Sequence, residues 1–300
     1  MNLINTTSSK MLNVQSQVRP QVKWREVILF TLLAYGLTWA WQAIKIVPHL
    51  GELLTASKTP TDSTIIYGNV YYHILGMFGP MLAAIIMRLF ISREGLRGSL
   101  GLRQPLKYYL TAVFVPILFI TTICLTMALI GVARFAMPEE EMPAYILPIL
   151  ALLLIPECIV AFGEEYGWRG YLLPRLMPLG ETRASLILGV VWSLWHLPVL
   201  LAGVLYGGNP FWLALAIFMF TVTMSTFAYT WLGSASHYSS MLASIFHGST
   251  NWYANRVATF LASGTLLSFG LAMGMGWLLI VIAVYGVFKR SPQVDMEPIG

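Results

Sequence analysis

Residues 145–170 read YILPILALLLIPECIVAFGEEYGWRG, an apolar run that ends in two adjacent carboxylates, Glu164 and Glu165, and an arginine, Arg169. About twenty apolar residues in helical form cross a hydrocarbon core about 30 Å thick, so the run predicts a membrane helix. A charge at the centre of such a helix costs roughly 2.5–3.5 kcal/mol. The chain has only 13 acidic residues in 300, and two placed side by side at the end of this run require a partner or a task.

Outward from this run the same pattern recurs. Apolar stretches are expected to span at 26–47, 69–91, 107–132, 145–166, 184–204, 211–232, 238–258 and 264–288. Hydrophobic residues make up 57% of the chain and charged residues 10%, against about a quarter charged in soluble domains. The fold class expected is all-α, a polytopic membrane helical bundle with about eight transmembrane helices. A spanning barrel needs period-two alternation, which is absent. The chain divides into a disordered polar tail over 1–23, one transmembrane domain over 24–290 and a C-terminal tail over 291–300. Between the fourth and fifth spans, Trp168 to Leu179 reads as an interfacial connector, because Pro174 and Pro178 oppose a long regular helix.

Lysine and arginine set the orientation, since cytoplasmic loops carry their excess. Of 18 basic residues, Lys45, Lys58, Arg134 and Arg256 fall on one side and the remainder on the other. This places both termini in the cytoplasm and Glu164 towards the cytoplasmic face. It also accounts for the net charge of +5, so no nucleic-acid partner is implied; the partners expected are the lipid bilayer and a membrane-associated peptide or protein. Cys124 and Cys158 both lie in apolar segments, which implies neither a disulfide framework nor a thiolate metal site.

Three polar constellations occupy three different spans. Glu165 and Arg169 are four apart and share a helix face, whereas Glu164 is rotated by about 100°. One carboxylate can be paired while its neighbour faces elsewhere. Trp192 and His196 are four apart on the fifth span, with His196 roughly 18 Å along it. His247 and Asn251 are four apart on the seventh. Taken singly, each has a plain structural reading: Glu165 with Arg169 as an ion pair gluing the bundle, a buried His or Asn as an interhelical hydrogen bond, Trp192 as packing. His49 and His237 are read as loop residues, and His73 falls near the start of the second span.

Together they suggest water activation. Glu164 can take a proton from water, His196 can orient the carboxylate or the water, and His247 with Asn251 can donate to an anionic tetrahedral intermediate. Alternatively, Glu164, His196 and His247 could hold a divalent metal such as zinc, two histidines and a glutamate being a catalytic set that leaves a position open.

Glu164-Glu165-x-x-x-Arg169, an aromatic-x-x-x-His ending at His196, and His247-x-x-x-Asn251 resemble, in order and spacing, the signature of the CAAX prenyl endopeptidase and bacteriocin-processing (CPBP) family of intramembrane proteases. Phe78-Gly79-Pro80-Met81-Leu82-Ala83-Ala84 with Arg88, and Leu96 to Arg103, are similar to that family's second span and the basic loop after it. The resemblance covers roughly 70–255. It implies Glu164 as the catalytic glutamate, His196 as its partner on the water, His247 and Asn251 as oxyanion donors, and Glu165 and Arg169 as supporting residues. It also implies an eight-helix fold with a cavity open to the cytosol and the membrane. Trp192 departs from the pattern, which has phenylalanine there. The family has been described both as glutamate-dependent and as metal-dependent. The short N-terminal tail is similar to that of bacterial members, which implies a bacterial plasma membrane and weighs against prenylated substrates, although the substrate does not follow from the motif.

Other readings stay open at this stage. A proton-relay or transporter protein would string Glu157, Glu164, His196 and His247 into a chain of titrating groups, although no inverted repeat is present. A catalytically silent scaffold would keep the fold alone. Other intramembrane protease chemistries fit less well: there is no His-Glu-x-x-His, and the only aspartates are Asp62 and Asp295.

Overall fold

The computed structural model describes residues 21–60, 74–136, 152–259 and 261–287. Most of both expected tails and His73 lie outside the described residues. Each expected stretch contains a helix among its described residues: α1 Trp24–Ile46, α2 Gly79–Ile86, α3 Leu106–Leu129, α4 Leu154–Gly167, α5 Glu181–Trp195, α6 Phe211–Ala235, α7 Ser240–Thr259 and α8 Leu266–Ile282. The chain is an all-α polytopic membrane bundle. Among the described residues, five segments are long and apolar enough to cross a membrane: Trp24–Thr55, Ile74–Ile91, Leu106–Leu129, Phe211–Ala235 and Leu266–Gly286. Those five contain α1, α2, α3, α6 and α8. The other three, α4, α5 and α7, carry the polar motifs.

Connections at alternate ends of the helices meet each other, as an up-and-down bundle requires. At one end, Glu26 at the start of α1 and Glu94 after α2 both pair with Arg175, each at 2.8 Å, and Glu94 also pairs with Arg88. At the same end the loop after α2 lies over the start of α7. Ser239 donates to the Gly101 carbonyl at 2.8 Å and Gln104 to the Ser236 carbonyl at 3.0 Å. At the other end, Thr59 and Gly208–Asn209 exchange backbone hydrogen bonds of 2.9 and 3.0 Å, and Arg134–Phe135 forms a short antiparallel pair with Leu261–Ser263.

Glycines set how closely the site helices approach. A Cβ on Gly163 of α4 would lie 2.9 Å from the Met77 carbonyl oxygen, and one on Gly167 would lie 2.6 Å from that of Pro80. These two glycines seat α4 against the start of α2. On α7, a Cβ at Gly248 would fall 2.7 Å from Cys158 Cα of α4. Small residues at such crossings supply the van der Waals packing that holds helices together in lipid, where burial from water contributes little.

The segment expected to be an interfacial connector is instead part of the core. After Gly167 the helix widens into a π-turn over Trp168–Leu172, then continues through Leu173–Leu176 and a final 3-10 turn at Met177–Leu179. Trp168, Arg169, Tyr171, Leu172 and Leu173 are all buried. Pro174 falls in the first turn of its short helix, where its missing N–H costs nothing. Arg175 turns outward to its two glutamates while the apolar side chains turn inward, so one segment meets both environments.

Candidate active site

Glu164, Glu165 and Arg169 lie at the end of α4 and in the π-turn that follows, all at 0% exposure. The expected ion pair is present: Arg169 Nη1 donates to Glu165 Oε1 at 2.8 Å. π-turns inside α-helices recur at functional sites, because the extra residue redirects side chains that a regular helix would stack. Here the Gly170 carbonyl in the turn accepts from Arg88 Nη2 at 2.6 Å, which ties the arginine after the second span to the base of the site.

His247 goes to Glu165 rather than to Glu164. Its Nδ1 lies 2.8 Å from the same Glu165 Oε1 that takes Arg169. A carboxylate oxygen accepts more than one donor, so one oxygen bridges α7 and the π-turn. The carboxylate accepts, so Nδ1 carries the proton and Nε2 is the nitrogen left for chemistry. This is the carboxylate-to-histidine arrangement that fixes a ring's tautomer and orientation. It also gives Glu165 a task beyond compensating Arg169.

Glu164 meets Trp192. The indole Nε1 donates to Glu164 Oε2 at 2.6 Å, so Trp192 is a polar partner as well as a packing residue. Its ring also lies over the Arg169 guanidinium, 4.0 Å from the ring centre, with the Tyr229 ring of α6 at the same distance and edge-on to Trp192. The two aromatic faces attract the buried cation. Tyr229 was not legible in the sequence, since it lies in an apolar run with no spacing that singles it out. Glu164 Oε1 and Glu165 Oε2 are buried without a hydrogen-bond partner among the described residues.

His196 ends α5. Its Nδ1 lies 2.8 Å from the Trp192 carbonyl oxygen, which fixes the Nδ1–H form and directs Nε2 away from its own helix. The ring packs at an edge against Trp192, Trp195 and Phe218. His247 also packs edge-on to Trp192, with ring centres 5.4 Å apart. Trp192 therefore meets Glu164 through its N–H, Arg169 through its face and both histidines through ring contacts. Asn251 lies one turn beyond His247 on α7, partly buried.

Among the described residues, no three His, Cys, Asp or Glu side chains come together as a metal-holding group, Glu164, His196 and His247 included. His247 is held on Glu165 and His196 on a backbone carbonyl, each through Nδ1, so Nε2 is the nitrogen of each that would meet a metal.

Residues 145–253 match the family model described as type II CAAX prenyl endopeptidase Rce1-like. Over these residues the chain is similar to the CAAX protease family. All of the motif residues from Glu164 to Asn251 fall inside the match. CAAX prenyl protease 2 of Methanococcus maripaludis is 35% identical over 105 residues. That alignment covers 33% of this chain and 37% of the relative, so the chain spans little more than a third of the curated relative it matches. The matched region coincides with the helices that are not among the five long apolar spans, together with α6, which supplies Tyr229.

Proposed function

We propose that this integral membrane protein is an endopeptidase that hydrolyses a membrane-associated peptide or protein near the cytoplasmic interface. The observation that carries the reading is the state of Glu164. It is buried, held at one oxygen by Trp192, and has a second oxygen without a partner among the described residues, while the neighbouring carboxylate is already matched by Arg169 and His247.

In this mechanism water at Glu164 Oε1 attacks the scissile carbonyl carbon. An O–C bond forms, and the water proton passes to Glu164. The oxyanion receives donors from His247 Nε2 and the Asn251 amide. Donation from both nitrogens requires the imidazolium form of His247, whose charge Glu165 faces. His196 Nε2 orients the water. Collapse breaks the C–N bond, and the proton held by Glu164 leaves with the amine. In this reading both termini are cytoplasmic. The grouping of Lys23, Arg88 and Arg175 at one end of the bundle with Glu26 and Glu94 supports that orientation.

The purified protein tests the reading directly. A quenched fluorescent peptide ending in a prenylated Cys-aliphatic-aliphatic-X, the class in the name of the Methanococcus relative, is the first probe. Membrane proteomes compared with and without Glu164→Gln provide a second that assumes no substrate. Cleavage should fall roughly 100- to 10,000-fold in Glu164→Gln. Equal cleavage by the wild type and Glu164→Gln, or proteomes that do not differ, would overturn the reading.

A further inference from the structure

We propose that Trp192 is a positioning residue whose indole N–H sets the orientation of the Glu164 carboxylate towards water; this rests on the endopeptidase reading above. The geometry separates two roles of one side chain. The ring face stacks on Arg169 at 4.0 Å, and any aromatic ring could supply that contact. The hydrogen bond of 2.6 Å from Nε1 to Glu164 Oε2 requires an indole, and the phenylalanine of the family pattern has no donor to offer.

Three features make this bond the determinant of where Glu164 points. The residue is fully buried, and Nε1 of Trp192 is its one hydrogen-bond partner among the described side chains. The donor is itself immobilised: Trp192 is 5% exposed and wedged between Arg169, His196, His247 and Tyr229. With Oε2 held on the indole, Oε1 is the oxygen presented to the reacting water. Trp192 also supplies, through its backbone carbonyl, the acceptor that fixes His196. A single residue of α5 thus sets both groups assigned to the water.

The experiment replaces the N–H without replacing the ring. Trp192→Phe keeps a face for Arg169, and 3-benzothienylalanine at position 192 keeps the full bicyclic shape with sulfur in place of the N–H. Each should lower kcat on the quenched peptide roughly 10- to 100-fold, the size expected for a hydrogen bond to a charged group, with KM within about twofold. Indole ¹⁵N labelling gives a readout that needs no substrate. The Trp192 resonance, assigned by its disappearance in Trp192→Phe, should move upfield in Glu164→Ala as its acceptor is lost. Wild-type kcat in both position-192 variants, or an indole resonance that does not respond to Glu164→Ala, would overturn the proposal. Equal cleavage by the wild type and Glu164→Ala would instead overturn the endopeptidase reading, and the indole resonance would still decide whether Trp192 holds Glu164.

Discussion

Arg169→Met tests whether the buried charges are balanced as the geometry indicates. Arg169 and Glu165 are both fully buried with Nη1 and Oε1 2.8 Å apart. At an effective dielectric constant of about 20, their Coulomb attraction is about 6 kcal/mol, most of which is offset by the cost of taking both charges out of water or headgroups. Removing only the arginine leaves Glu165 buried with His247 as its remaining partner, and breaking a buried pair in this way costs about 3–5 kcal/mol. Methionine keeps much of the volume and a favourable sulfur contact between the rings of Trp192 and Tyr229, so the loss reports on charge more than on a cavity. Adding Glu165→Gln removes the stranded charge. The double variant should therefore recover about 2 kcal/mol relative to Arg169→Met, a coupling within the range for contacting residues. Unfolding in mixed micelles titrated with sodium dodecyl sulfate measures this, with peptide cleavage followed in parallel. Activity should stay 10- to 100-fold down in the double variant, because His247 has lost the carboxylate that orients it. Additive destabilisation, or a double variant that regains cleavage along with stability, would refute the bridging role of Glu165 Oε1.

Three further outcomes are expected. Gly248→Ala forces a Cβ to within 2.7 Å of Cys158 Cα, so α7 must shift and the variant should lose about 1–3 kcal/mol by micellar unfolding together with much of its cleavage; an unperturbed variant would show that the crossing of α4 and α7 is looser than described. Dialysis against a strong chelator should leave cleavage unchanged, since the described donors do not converge, whereas loss of activity restored by zinc would mean that His196 and His247 move onto Glu164 in the working enzyme. A cysteine at Arg97 should be labelled from the cytoplasmic side by a membrane-impermeant maleimide in inverted vesicles, and one at Lys58 only from the opposite side; the reverse pattern would invert the proposed orientation.

The helices were legible because lipid imposes one rule on every span, and each of the eight expected stretches contains a helix. Their depth in the bundle was not. Residues 168–179 carry two arginines and two prolines, which in isolation mark an interface. Only the glutamates supplied by residues 26 and 94 allow Arg175 to stay at the edge while Tyr171 and Leu172 enter the core. Those partners are 149 and 81 residues away in the chain, beyond the reach of any local pattern.

The pairings among the expected site residues were legible only in part. Helical spacing correctly joined Glu165 to Arg169, because four residues along a helix bring side chains together whatever the surroundings. Spacing along one helix is silent on which carboxylate a residue of another helix will choose. His247 reaches Glu165 because Gly248 lets α7 lie on α4, a fact of packing between helices. The departure from the family pattern at position 192 was the one visible clue to the remaining contact. Among the lone aromatics in apolar runs, a tryptophan where phenylalanine is usual adds one donor, and a buried donor seeks an acceptor. On the face shared with His196, that acceptor is the carboxylate left over when Glu165 has taken Arg169.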